Sequence, residues 1–379
     1  MNINVTSTDE SAHFTLSNAG GLDTSIINSI RRAIITEIPV VGFDTETDHN
    51  VNMVKNNTVL HNEYLEHRIG LIPLSINPET YKYLDILFVI NLKVTDTDIL
   101  EVTSNNFDIY KKKEGLEIIF NLEDLNLEEF RQIYNREPLN QEEKDTILKP
   151  FNHEGINHYI TITKLKRENI SGDGTEELLL FASPSVNIGK TNARFSHVSQ
   201  CTYSFTQDDA KVSVEKKHLA PEKHQEFDNL DIQRFYKTDS LDRPNSYDFK
   251  LESMGYLSNN QCFIKGIDIL VSKFKYFKET KLPSLRVEPC NDFKNAIQIV
   301  IPEEDDTLGN PIQKYMHYNF IETTNPSVKY CCYVRPHPLK DEIVIKLITD
   351  NDPKEAIVDT CDIIIKILGE IKRTTKGKF

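Results

Sequence analysis

Tryptophan is absent from the 379 residues, and glycine and proline number only 14 and 16. So small a share of the two chain-breaking residues excludes collagen-like and low-complexity chains. Long apolar runs are missing too: the longest candidates, near residues 86–92 and 361–368, are interrupted or fall well short of the roughly 18 residues a membrane span needs. Residues 1–10 have neither a basic nor an apolar region, so no secretory leader is expected and a soluble, non-secreted compartment is. Basic residues are the scarcer charge, 44 against 58 acidic, for a net of −14. Holding nucleic acid requires clustered Lys and Arg, so this chain is a poor candidate for doing so alone. Six cysteines occur without one C-x-x-C spacing, which removes zinc ribbons and thioredoxin-type redox pairs. The adjacent Cys331 and Cys332 are expected as small buried hydrophobes on opposite faces of an extended segment, and free thiols suit a reducing compartment.

What is present describes a globular protein of two or three domains, with 39% apolar residues. Four segments carry helical periodicity. In residues 23–38, Ile26, Ile27, Ile30, Ala33, Ile34 and Ile38 form one stripe, Asp23 or Thr24 can cap it, Pro39 stops it, and Arg31 and Arg32 lie off it. Residues 258 to about 279 open with a Ser258/Gln261 capping box and continue with Phe263, Ile267, Leu270, Val271, Phe274 and Phe277. Residues 307–320 align Leu308, Ile312, Met316 and Phe320 behind Asp305 or Asp306. Residues 352–371 have Asp352 as cap, Pro353 in the first turn, Glu355 placed for a capping box, and Ile357, Cys361, Ile364, Ile365, Leu368 and Ile371 as the apolar set.

The second and fourth stripes recur at the same offsets, 4, 7, 8, 11 and 14 from their first apolar residue. Each follows an alternating strand, Tyr247, Phe249 and Leu251 before one, Ile343, Ile345 and Leu347 before the other, and each strand–helix unit is preceded by a shorter capped helix. The two ends thus read as diverged copies of one α+β unit. A long helix apolar over four turns beside a half-covered sheet needs a second such unit to bury its face. Two copies in one chain predict an intramolecular pseudo-dimer whose association entropy is offset by the covalent tether. Between them short alternating strands, such as Ile86, Phe88, Ile90 and Leu92, mix with charged stretches, a short helix near residues 127–135 and turns at Gly20-Gly21 and residues 171–174. The expected fold is therefore α+β: two dimerisation units, residues 1–43 with 199–281 and residues 282–379, and a mainly β subdomain over 44–198 inserted in the first.

An ordered string runs through this region: Asn28-Ser29-Ile30-Arg31-Arg32, Glu37-Ile38-Pro39, then Leu60-His61-Asn62-Glu63-Tyr64-Leu65-Glu66-His67-Arg68-Ile69-Gly70-Leu71-Ile72-Pro73-Leu74, and later Phe249-Lys250-Leu251-Glu252-Ser253-Met254-Gly255. It resembles the third-largest subunit of eukaryotic RNA polymerase II, its D-type counterpart in archaeal polymerase and the bacterial alpha N-terminal domain. Asp306-Thr307-Leu308-Gly309-Asn310, Tyr333-Val334-Arg335-Pro336-His337-Pro338-Leu339 and Pro353-Lys354-Glu355-Ala356 resemble the L-type chain of archaeal polymerase, the small partner of the D-type one. The resemblance implies a fused, non-catalytic assembly subunit of a DNA-directed RNA polymerase, a platform for the two largest subunits, which own the magnesium site. Small subunits resembling archaeal N and P are further implied partners, with DNA reached only through the complex. It also implies a face for the large subunits at Asn28, Arg31, Arg32, His61, Glu63, His67 and Arg68. Such fusions are familiar from large DNA viruses, so the host cytoplasm and virion are the expected location, or the nucleus for a cellular source. Two departures stand out. Residues 44–198 contain no cysteine, where relatives often carry a zinc loop or an iron–sulfur site, so no cofactor is expected; and the loop at 189–198 has Thr191-Asn192 and Ser196-His197 in place of the family's pairs.

Other chemistry finds little purchase. His61 and His67, with Glu63 and Glu66, lack the H-E-x-x-H register; a metal-dependent hydrolase on that helix is the alternative reading, set against a polar contact-making helix. The acidic run 303–306 and Asp350 with Asp352 read as helix caps that satisfy free N–H groups, and no phosphate-cradling loop or nucleophile elbow is present. Lys216, Lys217, Lys223 and the tail residues Lys372, Arg373, Lys376 and Lys378 read as solvated faces.

Overall fold

The computed structural model describes residues 2–7, 11–17, 21–46, 50–95, 98–113, 122, 125, 127–167, 174–376 and 378; Gly20 and residues 171–173 of the expected turns lie outside them. Two compact units divide the chain. One holds Met1–Ile38, Val198–Ser253 and Leu257–Phe379, the other Pro39–His197 and Met254–Tyr256.

The first unit is built twice from one plan. Its first half runs β1 (Asn2–Ser7), β2 (Ala12–Ser17), α1 (Thr24–Thr36), β3 (Val198–Phe205), α2 (Asp209–His218), β4 (Ser246–Ser253) and α3 (Asn259–Tyr276). Its second half runs from the short strand Glu288–Pro289 through β5 (Ile297–Pro302), α4 (Asp306–Met316), β6 (Val328–Val334) and β7 (Glu342–Thr349) to α5 (Pro353–Thr375). The first antiparallel sheet has the order β1-β2-β4-β3, and the second has Glu288–Pro289, then β5-β7-β6. In each, the strand preceding the long helix is central, between the strand before the short helix and the strand after it.

Local chemistry explains the helix ends. Asp23 caps α1 by accepting from Ser25 N–H at 2.7 Å, and Ser258 and Gln261 make the reciprocal box on α3. Asp352 bonds the Lys354 N–H at 2.9 Å, so α5 is capped without the box expected of Glu355. Both α3 and α4 run on into wider π turns, Phe277–Lys281 and His317–Ile321, which carry the stripes to their expected ends. The helices α1, α3, α4 and α5 share one apolar core with the inner faces of both sheets, including Phe14, Leu16, Phe249, Ile299, Ile345 and Leu347.

The second unit is mainly β. Its sheet orders Val51–Asn56, Glu177–Ala182, Ile86–Lys93 and Asp108–Lys111, with two-stranded ribbons beside it and the exposed hairpin Phe151–His153 with Ile156–His158. It starts at Pro39 instead of residue 44, because Pro39–Gly42 pairs with Ser185–Ile188. Met254–Tyr256 joins it because Met254 N–H donates to His197 O at 3.0 Å and the backbone of Gly255 lies against the His197 ring. The vicinal thiols divide: Cys331 is buried under β6, while Cys332 on the other face is only half-buried, so one of the two expected burials is not made.

Candidate assembly interfaces

The two long helices present matching apolar residues in one register. Phe263 and Ile357, Ile267 and Cys361, Leu270 and Ile364, Val271 and Ile365, Phe274 and Leu368, Phe277 and Ile371 are each separated by the same 94 positions. All belong to the shared core; Val271 and Ile365 sit at its half-buried margin and the other ten are closed to solvent. Ions repeat the register: Lys278 bonds Asp362, and Lys372 bonds Asp268 at 2.5 Å, so equivalent lysines reach equivalent aspartates in opposite directions. This is the signature of a two-fold relation inside one chain.

The short helices clasp the other half through their caps. The second carboxylate oxygen of Asp23 accepts from Tyr318 O–H at 2.7 Å. Asp305, which caps α4 through Thr307 N–H at 2.9 Å, uses its second oxygen for Arg32 at 2.8 Å. Arg32 also donates to Thr307 Oγ1 at 2.9 Å, and Ser29 Oγ donates to Thr307 O at 2.9 Å. Burial would raise the Asp305 carboxyl's pKa, but the Thr307 bonds and the charges of Arg32 and Lys273 outweigh it and hold it below the ordinary value. Lys273 lies 2.9 Å from Glu37 and 3.4 Å from Glu304; burial would lower its pKa, yet the two carboxylates keep it raised. The Tyr315 hydroxyl donates to Gly21 O.

Arg32 is thus engaged in pairing the halves, with its side chain still 31% exposed. Arg31 differs: its guanidinium is braced on the Asn28 carboxamide by bonds of 3.0 and 2.9 Å, beside the half-buried Tyr203. In the second unit, His61 precedes the helix Asn62–Gly70 as its cap residue, and His61, Glu63, Tyr64, His67 and Arg68 are exposed while Leu65 and Ile69 face the core. Arg68 donates to Thr161 O at 2.6 Å. Gly70 lets the almost fully enclosed Arg194 lie against the helix end, where a Cβ would come within 2.6 Å of its guanidinium; Arg194 then bonds Thr45 and Glu46. Among the described residues, no group of three or more His, Cys, Asp or Glu side chains is placed to hold a metal ion.

Sequence reasoning read the 303–306 run as caps alone. That suits Asp305 but misses Glu304, which is buried against lysines of the first half. It also missed Tyr315, Tyr318, Glu37 and Lys273, because their partners lie 236 to 295 positions away in the chain. A glutamate at an otherwise apolar repeat position was the one available signal.

Models of the RNA polymerase Rpb3/Rpb11 dimerisation domain match twice, over residues 19–274 and 296–374. The chain is 25% identical over 320 residues to the DNA-directed RNA polymerases I and III subunit RPAC1 of Saccharomyces cerevisiae, covering 73% of this chain and 86% of that one. It is 33% identical over 89 residues to subunit Rpo11 of Sulfurisphaera tokodaii (22% of this chain, 89% of that one). A stretch of 55 residues is 47% identical to subunit Rpo3 of Pyrobaculum aerophilum (14% and 19%). Each matched region contributes one half of the two-fold unit with its common core, and the chain belongs to the RNA polymerase Rpb3/Rpb11 dimerisation-domain family, with the two pairing partners fused in a single polypeptide.

Proposed function

We infer that this chain is a non-catalytic assembly subunit of a multisubunit DNA-directed RNA polymerase. The observation that carries the reading is the shared core of two family-matched halves, with complementary caps and ion pairs. The first half of the two-fold unit takes the D-like role, residues 282–379 the L-like role, and the unit entered at Pro39 the role of an inserted subdomain. The platform receives the two largest subunits through two patches, Asn28 with Arg31 on one unit and His61, Glu63, His67 and Arg68 on the other. The exposed His61, Glu63, His67 and Arg68, and the half-buried Arg31 already braced by Asn28, support that assignment, since a pre-oriented guanidinium loses little freedom on docking. Small subunits like archaeal N and P complete the partner set, and DNA is met only through the assembly. The fused architecture supports a viral source working in the host cytoplasm and carried in the virion, with the nucleus as the location for a cellular one.

Affinity purification of the tagged full chain from its native cell, read by mass spectrometry, tests this. The two largest polymerase subunits are expected in the eluate. Arg31→Glu with His67→Glu should deplete them at least tenfold while leaving the melting curve of the isolated chain unchanged. Recovery of neither large subunit with the unaltered chain overturns the function, and undiminished recovery with the variant overturns the surface.

A further inference from the structure

The two-fold relation makes a prediction it then breaks at one place. Short helices α1 and α4 are related by 282 positions: the caps Asp23 and Asp305 correspond, and two residues before them Gly21 and Glu303 both hold positive φ, 98° and 58°. Extended along the chain, the 282- and 94-position relations give each corner residue a counterpart in sequence. One corner of the pairing surface holds Glu37, Lys273 and Lys281 from the first half and Glu304 from the second. Lys273 and Lys281 each lie 3.4 Å from Glu304, and side-chain exposures are 19%, 16%, 14% and 7% in that order. The counterparts at the opposite corner are Asn319, Ile367, Thr375 and Leu22, all uncharged. There Leu22 and Thr375 are buried, Ile367 packs on the core, and its Cδ1 fills the space beside Gly21, 3.2 Å from where a Cβ would stand.

We propose that this charged corner is a partner-selecting device: it lets the first half accept the second half and reject a copy of itself, and makes the second half do likewise. A first half paired with its own copy would bring Leu22 to the place of Glu304, leaving Lys273 and Lys281 with Glu37 alone to share. A second half paired with its own copy would bring Ile367 and Thr375 to the places of the lysines, leaving Glu304 enclosed with no cation. A pair of identical halves repeats each mismatch at both corners. Shutting away one unpartnered charge lowers an association constant on the order of a hundredfold or more, whereas the four enclosed groups of the matched corner sum to zero charge, the exposed Glu303 lying 4.0 Å from Lys281 at its rim. The exchanged pairs Lys278–Asp362 and Lys372–Asp268 are the same in every combination, so they fix register without selecting a partner. Specificity is a difference between competing pairings, and here it comes from breaking symmetry at one corner. The inference concerns pairing and holds whatever complex the chain enters.

The test uses the full chain and urea unfolding followed by circular dichroism. Leu22→Glu places a carboxylate against Ile367 and Thr375, reproducing inside the chain the mismatch of two second halves; it should lower the folding equilibrium constant on the order of a hundredfold. Adding Ile367→Lys rebuilds the charged corner where none exists and should recover at least tenfold. In a second cycle, Glu304→Leu strands the lysines and should lower the constant about tenfold, and Lys273→Ile added to it should recover most of that loss. Should Leu22→Glu fail to fold, the second cycle decides by itself. Strictly additive effects in the measurable cycles would falsify the proposal, since the corner would then be insensitive to what faces it.

Discussion

The two halves of the dimerisation unit differ in what they carry between the same elements. The second half joins its strands and helices by short connections, residues 317–327 and 335–341. The first half, on the same plan, leaves its fold after α1 for the whole of the second unit and opens again between β3 and β4 for residues 206–245. Both still bury the same stripe at the same register. The comparison teaches that pairing depends on four helices and two inner sheet faces, and that the connections between these elements tolerate insertion at small entropic cost.

The strongest way to break the likeness is a charge in the common core. Phe274→Asp and Leu368→Asp, at equivalent positions of the two halves, should each cost on the order of 4 kcal/mol from lost apolar burial before the buried carboxylate is counted. That is a large share of a typical domain's roughly 5–15 kcal/mol. Together they should abolish folding and assembly, read as loss of soluble chain and of co-purifying subunits. Soluble, assembled protein carrying both changes would contradict the packing.

A smaller probe uses the close approaches that each half needs. A Cβ on Gly266 would stand 2.5 Å from Ile34 Cγ1 in the first half, and one on Gly309 would stand 2.6 Å from Tyr333 Cδ2 in the second. Gly266→Ala and Gly309→Ala should each destabilise by about 1–3 kcal/mol through overpacking, despite alanine's better helix propensity. Urea midpoints at or above that of the unaltered chain would show that the helices have room to spare.

The gentlest probe is acid. Asp305's carboxyl is held below its ordinary value, so its contribution is fully present above the unfolded-state value and is lost as pH falls through the lower folded one. Asp305→Asn should therefore flatten part of the decline in stability between about pH 5 and pH 2, where carboxylates of this kind titrate. A decline as steep in the variant as in the unaltered chain would remove Asp305 from the acid-sensitive contacts.

Much of the first unit was legible because its chemistry is periodic. Ile26 to Ile38, Phe263 to Phe277 and Ile357 to Ile371 must lie on one side of a helix, and Asp23, Ser258 and Pro353 mark where those helices begin. The inserted unit was less legible: its short strands leave few alternations to count, so entry at Pro39 and the capture of Gly255 by His197 emerge only from pairing across the fold. The exposure of His61, Glu63, His67 and Arg68 follows from the polar face of the helix Asn62–Gly70, whereas the partners of Arg32, Asp305 and Thr307, are distant in the chain and could not be read from its neighbours.

By itself, the order of residues determined that two amphipathic units exist and that each needs cover for its apolar stripe, since helix period and capping act over a few neighbouring positions. Only the tertiary structure decided which charges meet across that seam. Whether Glu304 is a solvated cap residue or an enclosed partner of Lys273 and Lys281 depends on a neighbour the chain delivers from far away, and on the water excluded when it arrives.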